Sequence, residues 1–336
     1  MRNSKVLISQ ALNTICGNLK RTGDPLGLKK AYWTHWADGL GLATQGSTLL
    51  YTARMYQMLP YVVQTTEMAA AAQPLVPMLS VKVVAKMAEF AGAVAADPII
   101  RIGARRETEI RQRSESALKG IVAALKRAGN RPAYLFEKEP YSGVLLYDLG
   151  MEEEVAPIAR EVVRTLKSVG SQTVLTVDPH TTFMLRQIYP RYVSGTNLNV
   201  RHYLEVLAGE KTIFPETRPA GVPEKIVLHD SCVMTRDLGV VEQARTVLER
   251  MGVEVIEPEN NGINTACCGG PVEYAYADLS RSISCIRARE LAGVCSDVLV
   301  ACPICLINLM KHEKDLGIRV WDMGEILHRC FASPAA

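Results

Sequence analysis

Residues 296–305 read SDVLVACPIC. A short apolar run rich in valine is the pattern of a strand buried on both faces of a parallel sheet. Its carboxyl end delivers Cys302 and Cys305 to one loop, and Pro303 restrains that loop through its locked φ. The same alternation extends on both sides. KIVLHD (225–230) reads as a strand, DLGVVEQARTVLERMG (237–252) as a helix stopped by glycine, and VEVIEP (253–258) as a strand. YAYADLSRSISCIRARELAG (274–293) and CLINLMKHEKDLG (305–317) read as helices, and IRVWDMGEILHRC (318–330) as a short strand followed by a helix. This β-α-β-α order predicts an α/β fold with a mostly parallel sheet and helices on its faces. Ligands of such sheets gather at the carboxyl ends of the strands, and Cys232 and Cys302 stand at two of them.

The N-terminal half repeats the plan. STLLYTARMYQ (47–57) parallels EKIVLHDSCVMTR, and EKEPYSGVLLYDLG (137–150) parallels NTACCGGPVEYAYADL. VLTVDPHT stands where VLVACPIC stands in the second copy. The pattern predicts two duplicated Rossmann-like halves, the first carrying a helical insertion at about 66–130. At the places of Cys232, Cys267, Cys268, Cys302 and Cys305, the first copy has Arg54, Tyr141, Ser142, Asp178 and Thr181.

Composition narrows the class. The 336 residues are 48% hydrophobic and 22% charged with a formal net charge of +3, an ordinary globular balance with no electrostatic case for nucleic acid. The basic run Arg101–Arg113 carries Glu107 and Glu109 and reads as a solvated helix face. The apolar zone 68–100 is broken by Pro74, Pro77, Lys82, Lys86, Glu89 and Asp97, so no membrane span is expected. The first twenty residues lack an apolar signal core, which predicts a cytoplasmic setting. Seven of nine cysteines fall between 232 and 305, where an even spread would place about two. In a chain of this size without a signal peptide, such clustering points to metal or redox chemistry rather than a disulfide framework.

Cys232 is followed after 34 residues by Cys267-Cys268-Gly269, and after 32 more by Cys302-Pro303-Ile304-Cys305. Five thiolates from three strand ends suit an iron–sulfur cluster, since thiolate is the soft ligand such clusters require. A cubane or a structural zinc needs only four. The adjacent pair therefore suits ligation of two metal atoms, or one sulfur bridging two. Gly269 and Gly270 allow the backbone to bend closely round a bulky group.

With these residues in place, the chain resembles the cysteine-rich CCG-domain family, most closely the B-type subunit of heterodisulfide reductase. The resemblance implies a degenerate N-terminal CCG-like domain (1–215, insertion 66–130) and a C-terminal CCG domain (216–336). It implies one non-cubane [4Fe-4S] cluster per chain, held by Cys232, Cys267, Cys268, Cys302 and Cys305. Nothing transfers to the first copy, which lacks the ligands. A two-cluster heterodisulfide cleavage is therefore not expected. The divergent branch that fits is the heterodisulfide reductase-like complexes of sulfur oxidation, with a disulfide or carrier-bound persulfide as substrate. The chain has no C-x2-C-x2-C-x3-C-P run and no glycine-rich dinucleotide fingerprint. The expected partners are therefore a cubane iron–sulfur protein resembling the C-type subunit of that reductase and a flavoprotein resembling its A-type subunit. Two alternatives remain: the iron–sulfur subunit of a flavin-dependent glycolate or lactate oxidase, and a scaffold holding zinc or an inert cluster.

Three further residues are candidates. His229 precedes Cys232 by three positions and is read either as an acid–base group or as a hydrogen-bond donor to a cluster sulfur. His180 and Arg54 are candidate substrate contacts in the first half, with a salt bridge to Asp178 the plainer expectation for Arg54. Cys16, Cys285, Cys295 and Cys330 are read as core filling.

Overall fold

Two four-stranded sheets, every pairing parallel, organise the chain. The computed structural model describes residues 13–72, 108–215, 217–274 and 276–331. The first sheet contains β1 (Thr48–Tyr51), β2 (Ala133–Tyr134), β3 (Thr173–Thr176) and β4 (Asn199–His202), in the order β2-β1-β3-β4. The second contains β5 (Lys225–His229), β6 (Glu254–Ile256), β7 (Asp297–Val300) and β8 (Arg319–Asp322), in the order β6-β5-β7-β8. The two orders are the same, so the duplication read from the sequence is a duplication of topology. The two central strands of each sheet are almost fully buried, as their unbroken apolar runs require.

Helices cover the sheets: α1 (Leu59–Ala72), α2 (Thr108–Arg127), α3 (Val144–Asp148), α4 (Glu152–Ser168), α5 (Pro179–Phe183) and α6 (Tyr203–Gly209) in the first half. The second half has α7 (Glu242–Arg250), α8 (Ala277–Ala292), α9 (Pro303–Met310) and α10 (Met323–Phe331). The halves are tied by exchange: α2 of the first packs on α10 of the second, and α7 of the second packs on α6 of the first. The α2–α10 crossing is close enough that a Cβ on Gly120 would lie 2.1 Å from the Gly324 carbonyl oxygen.

Local details repeat as well. Gly143 (φ +74°) and Gly269 (φ +91°) hold the same place in the two halves, each in a conformation that L side chains rarely adopt. Asp178 and Cys302 are both extended N-caps followed by proline at the first helical position. In the first half the cap is made by a carboxylate, Asp178 Oδ1 accepting from the Thr181 N–H at 2.8 Å.

Three expectations need correction. The 237–252 helix begins only at Glu242, because Val233–Asp237 form a π-turn and Gly239 has φ +68°. The 305–317 helix starts earlier, at Pro303, and its main body ends at Met310. The basic run is solvated only in part where it is described: Glu109 and Gln112 are exposed, but Arg113 pairs with Glu325 at 2.9 Å and Arg111 lies over the Tyr61 ring. Packing of α2 against α10 turns that side of the helix inward. Of the insertion at 66–130, α1 and α2 are helical, and 73–107 lie outside the described residues. The same holds for residues 1–12 and for most of the apolar zone at 68–100.

Candidate metal centre

Three strand ends and one loop bring the five thiols together. Cys232 follows β5, Cys302 follows β7, and Cys305 sits one turn into α9. Cys267 and Cys268 come from the loop between β6 and α8. That loop is tied to the Cys232 segment: Thr265 Oγ1 donates to the Asp230 carbonyl at 2.9 Å, and Arg236 donates to the carbonyls of Ile263 and Thr265. The thiols are near enough to shift one another's acidity in series, Cys232 with Cys267, Cys267 with Cys268, Cys268 with Cys305 and Cys305 with Cys302. Cys268, Cys302 and Cys305 are buried, and Cys232 and Cys267 are half-buried.

Crowding thiols divides their acidities. Cys267 is held down at about 2 by contacts with Cys232 and Cys268 and by the Gly269 N–H, which donates to its sulfur at 3.3 Å. Cys232, Cys268 and Cys305 are pushed up, chiefly by a neighbouring sulfur and by burial. Burial would raise Cys302 too, but Cys305 and His180 outweigh it and hold Cys302 well below the usual thiol range. The group thus carries negative charge that a cation or metal centre would neutralise.

The backbone round the pair is shaped for close approach. A Cβ on Gly269 would lie 2.4 Å from the Ser280 carbonyl oxygen, and one on Gly270 2.3 Å from Ile304 Cγ2. His229 stands beside the sulfurs: one ring nitrogen and the sulfurs of Cys268 and Cys305 lie within 4.8 Å of one another. Its Nδ1 accepts from Arg287 Nε at 3.1 Å, so the ring proton resides on Nε2. Nε2 is buried without a partner among the described residues. Burial and Arg287 push His229 down to about 3, so it is a neutral donor. A neutral buried histidine beside the sulfurs, with five thiols where four would serve zinc, fits a thiolate-ligated iron–sulfur group better than four-ligand zinc.

Other candidates are placed differently. Asp230 is occupied by Arg245, at 2.8 Å, and by the Gly262 N–H. Arg54 does not meet Asp178. It is buried and pairs with Asp24 at 3.0 Å, while also donating to the Glu139 carbonyl. Residues 13–28 fold over the β1 end and supply that acid, a partner no repeat comparison pointed to. His180 contacts Asp148 (Nδ1 to Oδ2, 3.6 Å) and reaches the Cys302 thiol of the other half. Cys16, Cys285, Cys295 and Cys330 lie outside the thiol group; Cys16 is buried and the other three half-buried.

Two residues escaped the sequence reading. Arg287 is a fully buried cation in α8, ion-paired to Glu290 at 2.7 Å. Glu273 is buried beside Gly270, with neither carboxylate oxygen hydrogen-bonded among the described residues, and burial raises it to about 7. Only their closeness in sequence to Cys285 and to the CCGG run marks them; their burial is a tertiary fact.

Residues 226–310, which hold the five thiols, match the family model of the cysteine-rich domain, CCG. Among curated proteins, the chain is similar to an EtfAB:quinone oxidoreductase of Syntrophomonas wolfei, 29% identical over 62% of this chain and 31% of the relative. It is also similar to a probable membrane-anchored ferredoxin of Chromohalobacter salexigens, 26% identical over 59% of this chain and 30% of the relative. The chain thus spans about a third of the length of these relatives. Among solved structures, an aspartate racemase homologue from Pyrococcus horikoshii aligns at TM-score 0.27 and 18% identity, over 65% of this chain and 91% of that one. That likeness carries no argument. Among the described residues, no helix is long and apolar enough to cross a membrane.

Proposed function

We propose that the chain is an iron–sulfur redox subunit, resembling the B-type subunit of heterodisulfide reductase, that exchanges electrons with a disulfide or persulfide on a carrier. Cys232, Cys267, Cys268, Cys302 and Cys305 hold one non-cubane [4Fe-4S] cluster. The observation that carries the reading is the convergence of five thiols at the carboxyl ends of the strands of the second half, with Cys268, Cys305 and a His229 ring nitrogen within 4.8 Å of one another. The redox names of the two relatives support it. When bound, the cluster supplies an electron carrier with iron that accepts a substrate sulfur.

This chain's residues prepare the site. Cys232 and Cys267, the half-buried members, mark the side from which a substrate enters, and the buried Cys268, Cys302 and Cys305 close the other side against water. His229 offers its Nε2–H to the sulfur cluster, and Arg287 fixes that tautomer. Breaking one S–S bond to two thiols takes up two electrons and two protons. A cubane iron–sulfur protein and a flavoprotein deliver the electrons in the cytoplasm, as two parts of one complex. A second reading draws on the quinone oxidoreductase relative: the chain passes electrons between a flavoprotein and a quinone-linked partner and binds no sulfur substrate.

Anaerobic purification with iron, zinc and sulfide analysis tests the reading. About four irons and matching sulfide per chain are expected, with an EPR signal that changes on addition of thiol. Cys268→Ser abolishes loading and Cys285→Ser retains it. Zinc without sulfide, after reconstitution with iron and sulfide has also failed, refutes the proposal. A full cluster indifferent to thiol selects the second reading.

A further inference from the structure

We propose that His180, on the half without thiol ligands, donates a ring N–H to Cys302 Sγ and thereby tunes the metal centre of the other half. The inference rests on the reading of the five thiols as cluster ligands. Asp178 and Pro179 match Cys302 and Pro303, so His180 occupies the place of Ile304 in the repeat. The first half has thus put a hydrogen-bonding ring where the second half has an aliphatic side chain.

The geometry directs that ring across the boundary between halves. α5 packs against the π-turn Val233–Asp237, which leads away from Cys232. Gln187, just beyond α5, donates to the Asp237 carbonyl and holds the two segments together. The His180 side chain is 7% exposed and has little room to swing. Asp148, the last residue of α3, faces its Nδ1 at 3.6 Å and orients it from within the first half. The buried Cys302 thiol lies close enough to the ring that each shifts the other's acidity, raising His180 and lowering Cys302. A carboxylate behind a histidine that faces a metal-bound atom is the arrangement by which outer groups orient and tune a metal site. An N–H directed at a ligating thiolate draws off negative charge and favours the reduced cluster, because hydrogen bonds to the sulfurs set cluster potentials. His180 is therefore a positioning and tuning residue, with no contact to substrate assigned to it.

The test uses the full chain reconstituted anaerobically, with His180→Leu, His180→Gln and Asp148→Asn. Iron and sulfide per chain are measured first, then the midpoint potential by EPR-monitored titration. His180→Leu loads as the wild type does and disfavours the reduced form about tenfold, a downward shift of about 59 mV for one electron. His180→Gln keeps an N–H donor and recovers most of the shift, and Asp148→Asn falls between. Equal potentials and EPR spectra for wild type and His180→Leu at equal loading overturn the inference alone. If His180→Leu does not load, an Asp148→Asn potential identical to wild type overturns it as well. A wild-type chain that takes up no iron and sulfide overturns this inference together with the function on which it rests.

Discussion

Replacing each of the paired glycines by alanine separates the strain of their conformation from the crowding around them. Gly143 and Gly269 occupy the same place in the two halves, both with positive φ. A residue with a Cβ there costs roughly 1–2 kcal/mol for the left-handed backbone alone. The surroundings differ. At Gly143 the added Cβ meets Ile158 Cγ2 at 3.1 Å and Cδ1 at 3.2 Å, the flexible end of a side chain. At Gly269 it meets the Ser280 carbonyl oxygen at 2.4 Å and the carbonyl carbon at 3.2 Å, backbone of α8 that cannot yield without moving the helix. Overpacking of that kind adds roughly 1–3 kcal/mol. Gly269→Ala is therefore expected to be the more destabilising by that amount. With an m-value of about 3 kcal/mol/M, the urea midpoints of the metal-free variants differ by about 0.3–1 M. The Gly269 N–H also donates to Cys267 Sγ, and relieving the clash with Ser280 moves that N–H away from the sulfur, so Gly269→Ala impairs iron loading while Gly143→Ala leaves it intact. Equal midpoints, or normal loading of Gly269→Ala, refute the reasoning.

Two further outcomes are expected on the metal-free chain. Arg54→Met leaves Asp24 buried without its cation and destabilises by about 3–5 kcal/mol, as breaking one side of a buried pair does; adding Asp24→Asn recovers part of the loss in urea melts, and a neutral Arg54→Met contradicts the ion-pair assignment. Burial pushes the Asp322 carboxyl up to about 8, so the folded chain holds a proton there that the unfolded chain has released above about pH 4. Folding then binds protons, and stability falls as pH rises through that window. Asp322→Asn cannot ionise, so its stability relative to wild type improves from pH 5 to pH 8 in the same melts. A pH-independent difference refutes the shift.

The thiol-bearing half was legible because its signal is local. Strand runs such as DVLV and KIVLH end in cysteines, and parallel topology sends all such ends to one edge. The duplication was legible because Gly143 and Gly269, or Pro179 and Pro303, satisfy backbone requirements that persist when the side-chain chemistry changes. Helix starts were less legible: Val233–Asp237 take a π-turn that apolar periodicity does not distinguish from the first turn of a helix. Arg54 was misassigned because its partner, Asp24, lies outside the repeat and meets it only through folding of the N-terminal segment over β1. The Arg287–His229 bond and the approach of His180 to Cys302 join residues 58 and 122 positions apart, across packing that no single-chain pattern encodes.

The substitutions in the first half form a coherent set. Where the second half ends β7 in a thiol, the first ends β3 in Asp178, whose carboxylate satisfies the helix N-terminus without a metal. Where the second half has Cys232, the first has a guanidinium neutralised by Asp24. Ser142 Oγ, Asp178 Oδ2 and Thr181 Oγ1 nevertheless remain buried without hydrogen-bond partners among the described residues, at three positions matching Cys268, Cys302 and Cys305. Each such atom carries a desolvation cost of about 1–3 kcal/mol. A half serving only as packing would gain from apolar residues there. Its retention of polar groups along the edge that presents Asp148 and His180 to Cys302 is consistent with a half kept for what it contributes to its neighbour's site.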